Sequence, residues 1–146
     1  MAGLIDTNVV IQIAFVVKDI VKTKNKLADF FGVEPPEHFE TERGPANIVK
    51  GESNPNVNAY LAFFRTTPGV SIELIQPLPA GKSSVWQDVL DEHGEGFHHI
   101  AFRIEGMDDK VLKCEGMGWE CLQRGKGYAY MDARKDLSFI IELLGE

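Results

Sequence analysis

The sequence predicts an α+β protein built from two βαβββ units, and three observations carry that prediction. The segment "QIAFVV" (12–17) recurs as "HIAFRI" (99–104), with an identical Ile-Ala-Phe core at an offset of 87. The segment "SIELIQ" (71–76) recurs as "IIELLG" (140–145), sharing Ile-Glu-Leu at an offset of 69. Each copy of the first segment is followed by an amphipathic stretch ending at glycine, Gly32 in one half and Gly116 or Gly118 in the other. Two recurrences in the same order mark a duplicated unit. The expected organisation is one domain over 1–146, with a first module at about 9–78, a linking helix at 83–93 and a second module at about 97–146.

The elements follow in order. "VVIQIAFVV" (9–17) is β-branched and almost continuously apolar, the pattern of a central strand covered on both faces. "KDIVKTKNKLADFFGVE" (18–34) spaces Ile20, Leu27, Phe30 and Phe31 at roughly helical intervals, with Gly32 as the stop. A short strand is expected at 38–43, then a loop, "GPANIVKGESNPN" (44–56), rich in glycine, proline and asparagine. "VNAYLAFFRT" (57–66) and "VSIELIQPL" (70–78), joined by "TPG", form a hairpin. "SSVWQDVLDEHG" (83–94) has a serine cap and the pair Trp86 and Leu90 at i, i+4, a short helix. The second module repeats the plan as strand 98–104, helix 107–117 and strands 119–123, 127–132 and 138–144.

Composition narrows the function. The chain has 146 residues, 44% of them hydrophobic, which suffices for one compact core. Its 22 acidic residues outnumber 15 basic ones for a formal charge of −7, so a phosphate backbone would meet net repulsion and nucleic acid is excluded as a partner. No run approaches the roughly 20 apolar residues of a membrane helix, and no signal-type segment opens the chain. A cytoplasmic protein without a membrane partner is expected. Cys114 and Cys121 lie outside any C-x-x-C spacing and are expected to be reduced thiols without a catalytic role.

Within the four repeated strands, one polar residue interrupts each aliphatic run: Gln12, Glu73, His99 and Glu142. The repeat makes Gln12 equivalent to His99 and Glu73 equivalent to Glu142. Two carboxylates buried in one cavity repel each other and are costly to desolvate unless a cation lies between them. One imidazole, two carboxylates and an amide oxygen suit a divalent ion such as Zn, Ni, Co, Mn or Fe. Each residue also has a plainer reading. Gln12 could be hydrogen-bonded to backbone, and Glu142 could face solvent on an edge strand. His98 is expected on the opposite face from His99 as a satisfied structural histidine.

With these residues in place, the sequence resembles the vicinal oxygen chelate superfamily, from "IQIAFVV" to "FIIELLGE". The resemblance implies that the paired modules curl into a half-open mixed β-barrel with flanking helices around a metal. It carries the ligand set over to Gln12, Glu73, His99 and Glu142. That set resembles glyoxalase I, while "SIELIQPL…GEGFHHIAFRI" resembles methylmalonyl-CoA epimerases more closely. The epimerases usually have histidine where Gln12 stands. They also differ in the segments corresponding to "ETERGPANIVKGESNPNVNAY" and "RGKGYAYMDARKD".

A metal in such a site can take both oxygens of a dicarbonyl substrate and stabilise the enolate left when the adjacent C–H proton departs. Glu142 is the first candidate base and Glu73 the second. An epimerase needs another carboxylate on the opposite face, which Glu40 or Glu42 could supply, although a solvated charged face is the plainer reading of both. The expected function is epimerase-like proton abstraction on a small-molecule substrate, with a glyoxalase I-like lyase as the alternative. An acyl-CoA, a glutathione adduct or another dicarbonyl would be the substrate. For glutathione, Arg43, Arg65, Arg103 and Lys126 could contact its carboxylates. An extradiol dioxygenase would want a second histidine at Gln12, and a bleomycin-resistance-type binder would not keep the quartet. A homodimer is expected.

Overall fold

The structure is a computed structural model, and it describes residues 3–66, 68–79 and 81–145. The described residues form a mixed ten-stranded sheet, curled into a half-barrel, with four helices. The first half comprises β1 (Val10–Val16), α1 (Ile20–Phe31), β2 (Phe39–Glu40), β3 (Ile48–Val49), β4 (Glu52–Ser53), β5 (Asn58–Arg65) and β6 (Ser71–Leu78). Helix α2 (Val85–His93) leads to β7 (Gly96–Arg103), α3 (Met107–Gly116), β8 (Cys121–Gly125), β9 (Tyr128–Asp132), α4 (Arg134–Leu137) and β10 (Ile140–Leu144). The expected turn at 67–69 includes Thr67, which lies outside the described residues, as do Met1, Ala2 and Glu146 of the expected domain. Among the described residues, no helix is long and apolar enough to cross a membrane.

The sheet order is β2-β5-β6-β1-β7-β10-β9-β8-β3-β4. The near-continuous apolar run of β1 is explained by its place at the centre, parallel to β6 and antiparallel to β7. Helix α2 packs Val85, Trp86 and Val89 against Ala14, Val16, Ile75 and Ile140, a core that spans the seam between the halves. Its cap is Ser84, whose hydroxyl accepts from the Gln87 amide at 3.0 Å. In α1, Asp19 caps the N-terminus and Gly32 ends the helix at φ 71°, a left-handed conformation that costs glycine least.

Two expectations about packing are corrected. Helix α1 buries Ile20, Lys24 and Ala28, not the Phe30–Phe31 pair; Phe30 is 81% exposed. The stripe rotates because the Lys24 stem can lie along the core while its ammonium donates to the Pro36 carbonyl at 2.9 Å. The expected loop at 44–56 contains a hairpin, β3 and β4, which docks on β8 at the far end of the sheet. Strands of two residues fall below the length at which alternation can be read.

That hairpin fixes the curvature. β2 and β3 are separated by residues 41–47 only, yet stand eight positions apart in the sheet. Flat, they would be about 38 Å apart at about 4.8 Å per strand. The connection reaches about 27 Å at most. The sheet must therefore curl, and residues 41–47 cross its open side as a strap. The strap is fastened where Gln123 Nε2 donates to the Tyr128 hydroxyl at 3.1 Å and that hydroxyl donates to Asn47 Oδ1 at 3.0 Å. Gly125 leaves the space for this contact, since a Cβ there would overlap both Asn47 Oδ1 and the Tyr128 ring. Gly125→Ala is expected to cost about 1–3 kcal/mol in urea unfolding by forcing Asn47 off Tyr128. An unchanged midpoint would show that the strap is held elsewhere.

Candidate active site

Duplication and strand register bring the polar residues together. β1 and β7 pair reciprocally, Gln12 opposite Ala101 and Ala14 opposite His99, as an internal repeat requires. On the outer flanks β6 sets Glu73 beside Ala14, and β10 sets Glu142 beside Ala101. Ala14 and Ala101 are fully buried, and their methyl groups leave room for the longer side chains around them. β10 runs between β7 and β9 and is not an edge strand, so the solvent-facing reading of Glu142 is overturned. His99 is 0%, Glu73 4% and Glu142 5% exposed.

His99 Nε2 stands 3.4 Å from Glu73 Oε1 and 3.1 Å from Glu142 Oε1. One ligand atom from each of the three residues lies within 4.8 Å of the other two. Although those separations are within ion-pair range, no aligned hydrogen bond among the described residues satisfies His99 Nε2 or Glu73 Oε1. Gln12 Oε1 is likewise buried without a partner, and Gln12 lines the same cavity as Glu73 and Glu142. Orphaned buried polar atoms are costly. All three atoms offer lone pairs, and a divalent cation about 2.0–2.2 Å away would satisfy the two that stand together, Glu73 Oε1 and His99 Nε2. Glu73, His99 and Glu142 thus form a buried group that could hold a metal.

Electrostatics agree with the geometry. Burial raises the Glu73 carboxyl above its ordinary range, the nearby Glu142 charge adds to this, and His99 opposes both. Burial alone would lower the His99 imidazole, but the negative charge of Glu142, and after it that of Glu73, both close to Nε2, lift it to about 9. Tyr130 is raised well above 10 by burial and by the two carboxylates. Its hydroxyl accepts from Trp86 Nε1 at 3.0 Å, and its ring stands 4.9 Å from that of His99.

His98 does not point away from His99. Opposite Ala14 and Phe15, β7 places His99 and Phe97, so His98 is the extra residue of a β-bulge. A bulge re-aims side chains that strict alternation would send to opposite faces. His98 is 2% exposed, with Nδ1 2.8 Å from His99 Nδ1 and Nε2 3.2 Å from the Val85 carbonyl oxygen. Burial, with the neighbouring His99 charge, lowers its pKa to about 3.

The cavity in front of these residues measures about 720 Å³. The strap supplies one wall, with Glu40, Glu42 and Arg43 on it or beside it; Lys126 and the aromatics Phe39, Trp86, Tyr128 and Tyr130 line the rest. Glu40 Oε2 accepts from Asn58 Nδ2 at 2.9 Å. Arg65 and Arg103 are exposed and take no part in the lining. Sequence reasoning missed Tyr128, Tyr130 and Asn47. "YAYMD" does alternate, but only the pairing of Tyr130 opposite Glu142 tells which face meets the site.

The sequence model of the glyoxalase/bleomycin resistance protein/dioxygenase superfamily matches residues 11–136. No curated protein matches the chain. Among solved structures, a methylmalonyl-CoA epimerase from Mycobacterium tuberculosis superposes with a TM-score of 0.58 at 19% identity, over 93% of this chain and 86% of that one. A Streptomyces coelicolor methylmalonyl-CoA epimerase variant in complex with 2-nitronate-propionyl-CoA gives 0.59 at 20%, over 94% and 96%. A hypothetical protein from Bacillus halodurans C-125 gives 0.59 at 18%, over 96% and 95%. At these identities the structural likeness establishes the fold alone. The family match, which takes in β1 through α4, settles membership: the chain belongs to the glyoxalase/bleomycin resistance protein/dioxygenase superfamily, whose vicinal oxygen chelate members include the epimerases.

Proposed function

We propose that the protein is a metal-dependent enzyme that withdraws the proton from a carbon beside a carbonyl, in the manner of a methylmalonyl-CoA epimerase. The observation that supports this reading is the buried group of Glu73, His99 and Glu142 behind a cavity that Gln12, Glu73 and Glu142 line, with Gln12 Oε1, Glu73 Oε1 and His99 Nε2 orphaned. Gln12, Glu73, His99 and Glu142 would hold the cation. When bound, a divalent ion supplies positive charge against two neighbouring substrate oxygens as negative charge develops there.

The chain's own residues do the rest. Glu142 accepts the substrate proton at a carboxylate oxygen from one side of the reacting carbon. Glu40 reaches the same cavity from β2, five positions from β10 in the sheet order, and returns a proton to the other side. Asn58 Nδ2 orients the Glu40 carboxylate by donating to it. The strap and the aromatic walls limit water around the reacting carbon, which strengthens each electrostatic contact. The acyl-CoA complex of the Streptomyces epimerase, together with the shared fold, supports an acyl thioester as the substrate class.

Gln12 favours a second reading, glyoxalase I-like isomerisation of a glutathione adduct, because an amide at that position matches that ligand set. Arg43 and Lys126 line the cavity and would meet the carboxylates of glutathione. Metal analysis followed by two assays separates the readings. Deuterium wash-in from solvent into methylmalonyl-CoA is the expected result. Turnover of the methylglyoxal–glutathione adduct without wash-in would replace the epimerase reading with the lyase. Neither activity in a metal-loaded protein would overturn both.

A further inference from the structure

The bulge turns His98 toward His99 and sets its ring 5.6 Å from that of Tyr130, a space that an apolar residue would also fill, so packing alone gives no reason for a histidine there. Its hydrogen bonds supply one. A carbonyl oxygen only accepts, so the 3.2 Å contact with Val85 requires His98 Nε2 to carry a proton. A buried neutral imidazole carries one proton only, so His98 Nδ1 is a bare lone pair. The partner of that lone pair, at 2.8 Å, is His99 Nδ1, which must therefore be the donor. The remaining nitrogen of His99, Nε2, is left to face Glu73 and Glu142 at 3.4 and 3.1 Å.

We propose that His98 is a positioning residue: the Val85 carbonyl fixes the tautomer of His98, and His98 in turn fixes His99 with its Nδ1 protonated and its Nε2 lone pair aimed between Glu73 and Glu142. The inference rests on the reading of these residues as a metal site. The Val85 peptide is itself held, since its N–H donates to Gln123 Oε1 at 3.0 Å. The relay therefore starts from a fixed point at the first turn of α2. In the usual arrangement a ligating histidine donates its other N–H to a carboxylate, a backbone carbonyl or water. Here a second histidine is interposed between the ligand and the backbone carbonyl.

The test uses zinc alone as the probe. In the zinc-loaded protein, long-range ¹H–¹⁵N spectra are expected to show His99 protonated at Nδ1 and ligated through Nε2, with His98 protonated at Nε2. Competition against a chromophoric chelator is expected to show zinc affinity falling roughly 10- to 100-fold in His98→Leu. In His98→Asn, whose Oδ1 can replace the Nδ1 acceptor, affinity is expected to recover most of that loss. Spectra with His99 ligated through Nδ1 would overturn the inference without any variant. So would a folded His98→Leu protein that binds zinc as tightly as its parent. If the unsubstituted protein fails to bind zinc, the metal reading falls and takes this inference with it.

Discussion

Glu142→Gln is expected to lower the rate of deuterium wash-in by about 10²–10⁴-fold while leaving a folded, metal-binding protein. Glutamine keeps the volume and a carbonyl oxygen that can still face the cation, so the substitution isolates the proton-accepting role of the carboxylate. Glu142 is flanked on both sides in the sheet and buried beside His99, which limits rearrangement when the acceptor-only carboxylate becomes an amide that also donates. Glu40→Gln separates the two faces of the reaction. A one-sided base still exchanges its own proton with solvent, so wash-in into one stereoisomer should persist while interconversion of the two isomers falls by a comparable factor. If Glu142→Gln retained full exchange, the base would have to be Glu73 or a water. If Glu40→Gln retained full interconversion, the second acid would lie elsewhere on the cavity wall, with Glu42 the next to test.

The duplicated strands were legible because they are central. Gln12, Glu73, His99 and Glu142 each interrupt an aliphatic run, and offsets of 87 and 69 place them equivalently before any coordinates are known. Register then follows, since the same repeat that relates Gln12 to His99 makes the β1–β7 pairing reciprocal. What stayed hidden depends on irregularity or on pairing between distant segments. The bulge at His98 breaks the period of two on which the face assignment rested. The docking of Ile48–Val49 on β8 joins residues about 75 positions apart in sequence through a two-residue strand, too short to carry a pattern. Tyr128 and Tyr130 needed the β9–β10 register. Phe30 looked like core because helical spacing is blind to a lysine stem that can cover the same surface.

Removal of the cation is expected to make stability depend on pH in a direction that the metal-loaded protein does not share. In the metal-free chain His99 sits at about 9, against an unfolded value near 6.5. A raised imidazole contributes its full stabilisation below pH 6.5, where it is protonated in both states, and loses it as pH climbs through 9. Glu73 is also raised, so it too binds its proton more tightly in the folded state and changes stability in the same sense. A shift from 6.5 to about 9 corresponds to about 3 kcal/mol. The physical reason is that two buried carboxylates need a positive charge between them, and without a metal the His99 proton, at 3.1 and 3.4 Å from them, supplies it. Zinc displaces that proton, so its binding strengthens as pH rises. Thermal melts at pH 6.5 and pH 9, with and without excess zinc, check this. The chelated protein should melt lower at pH 9 than at pH 6.5, and the increment that zinc restores should be larger at pH 9. Equal increments at the two pH values would mean that zinc and the proton do not compete for His99, and the site would then have to be assigned to other residues.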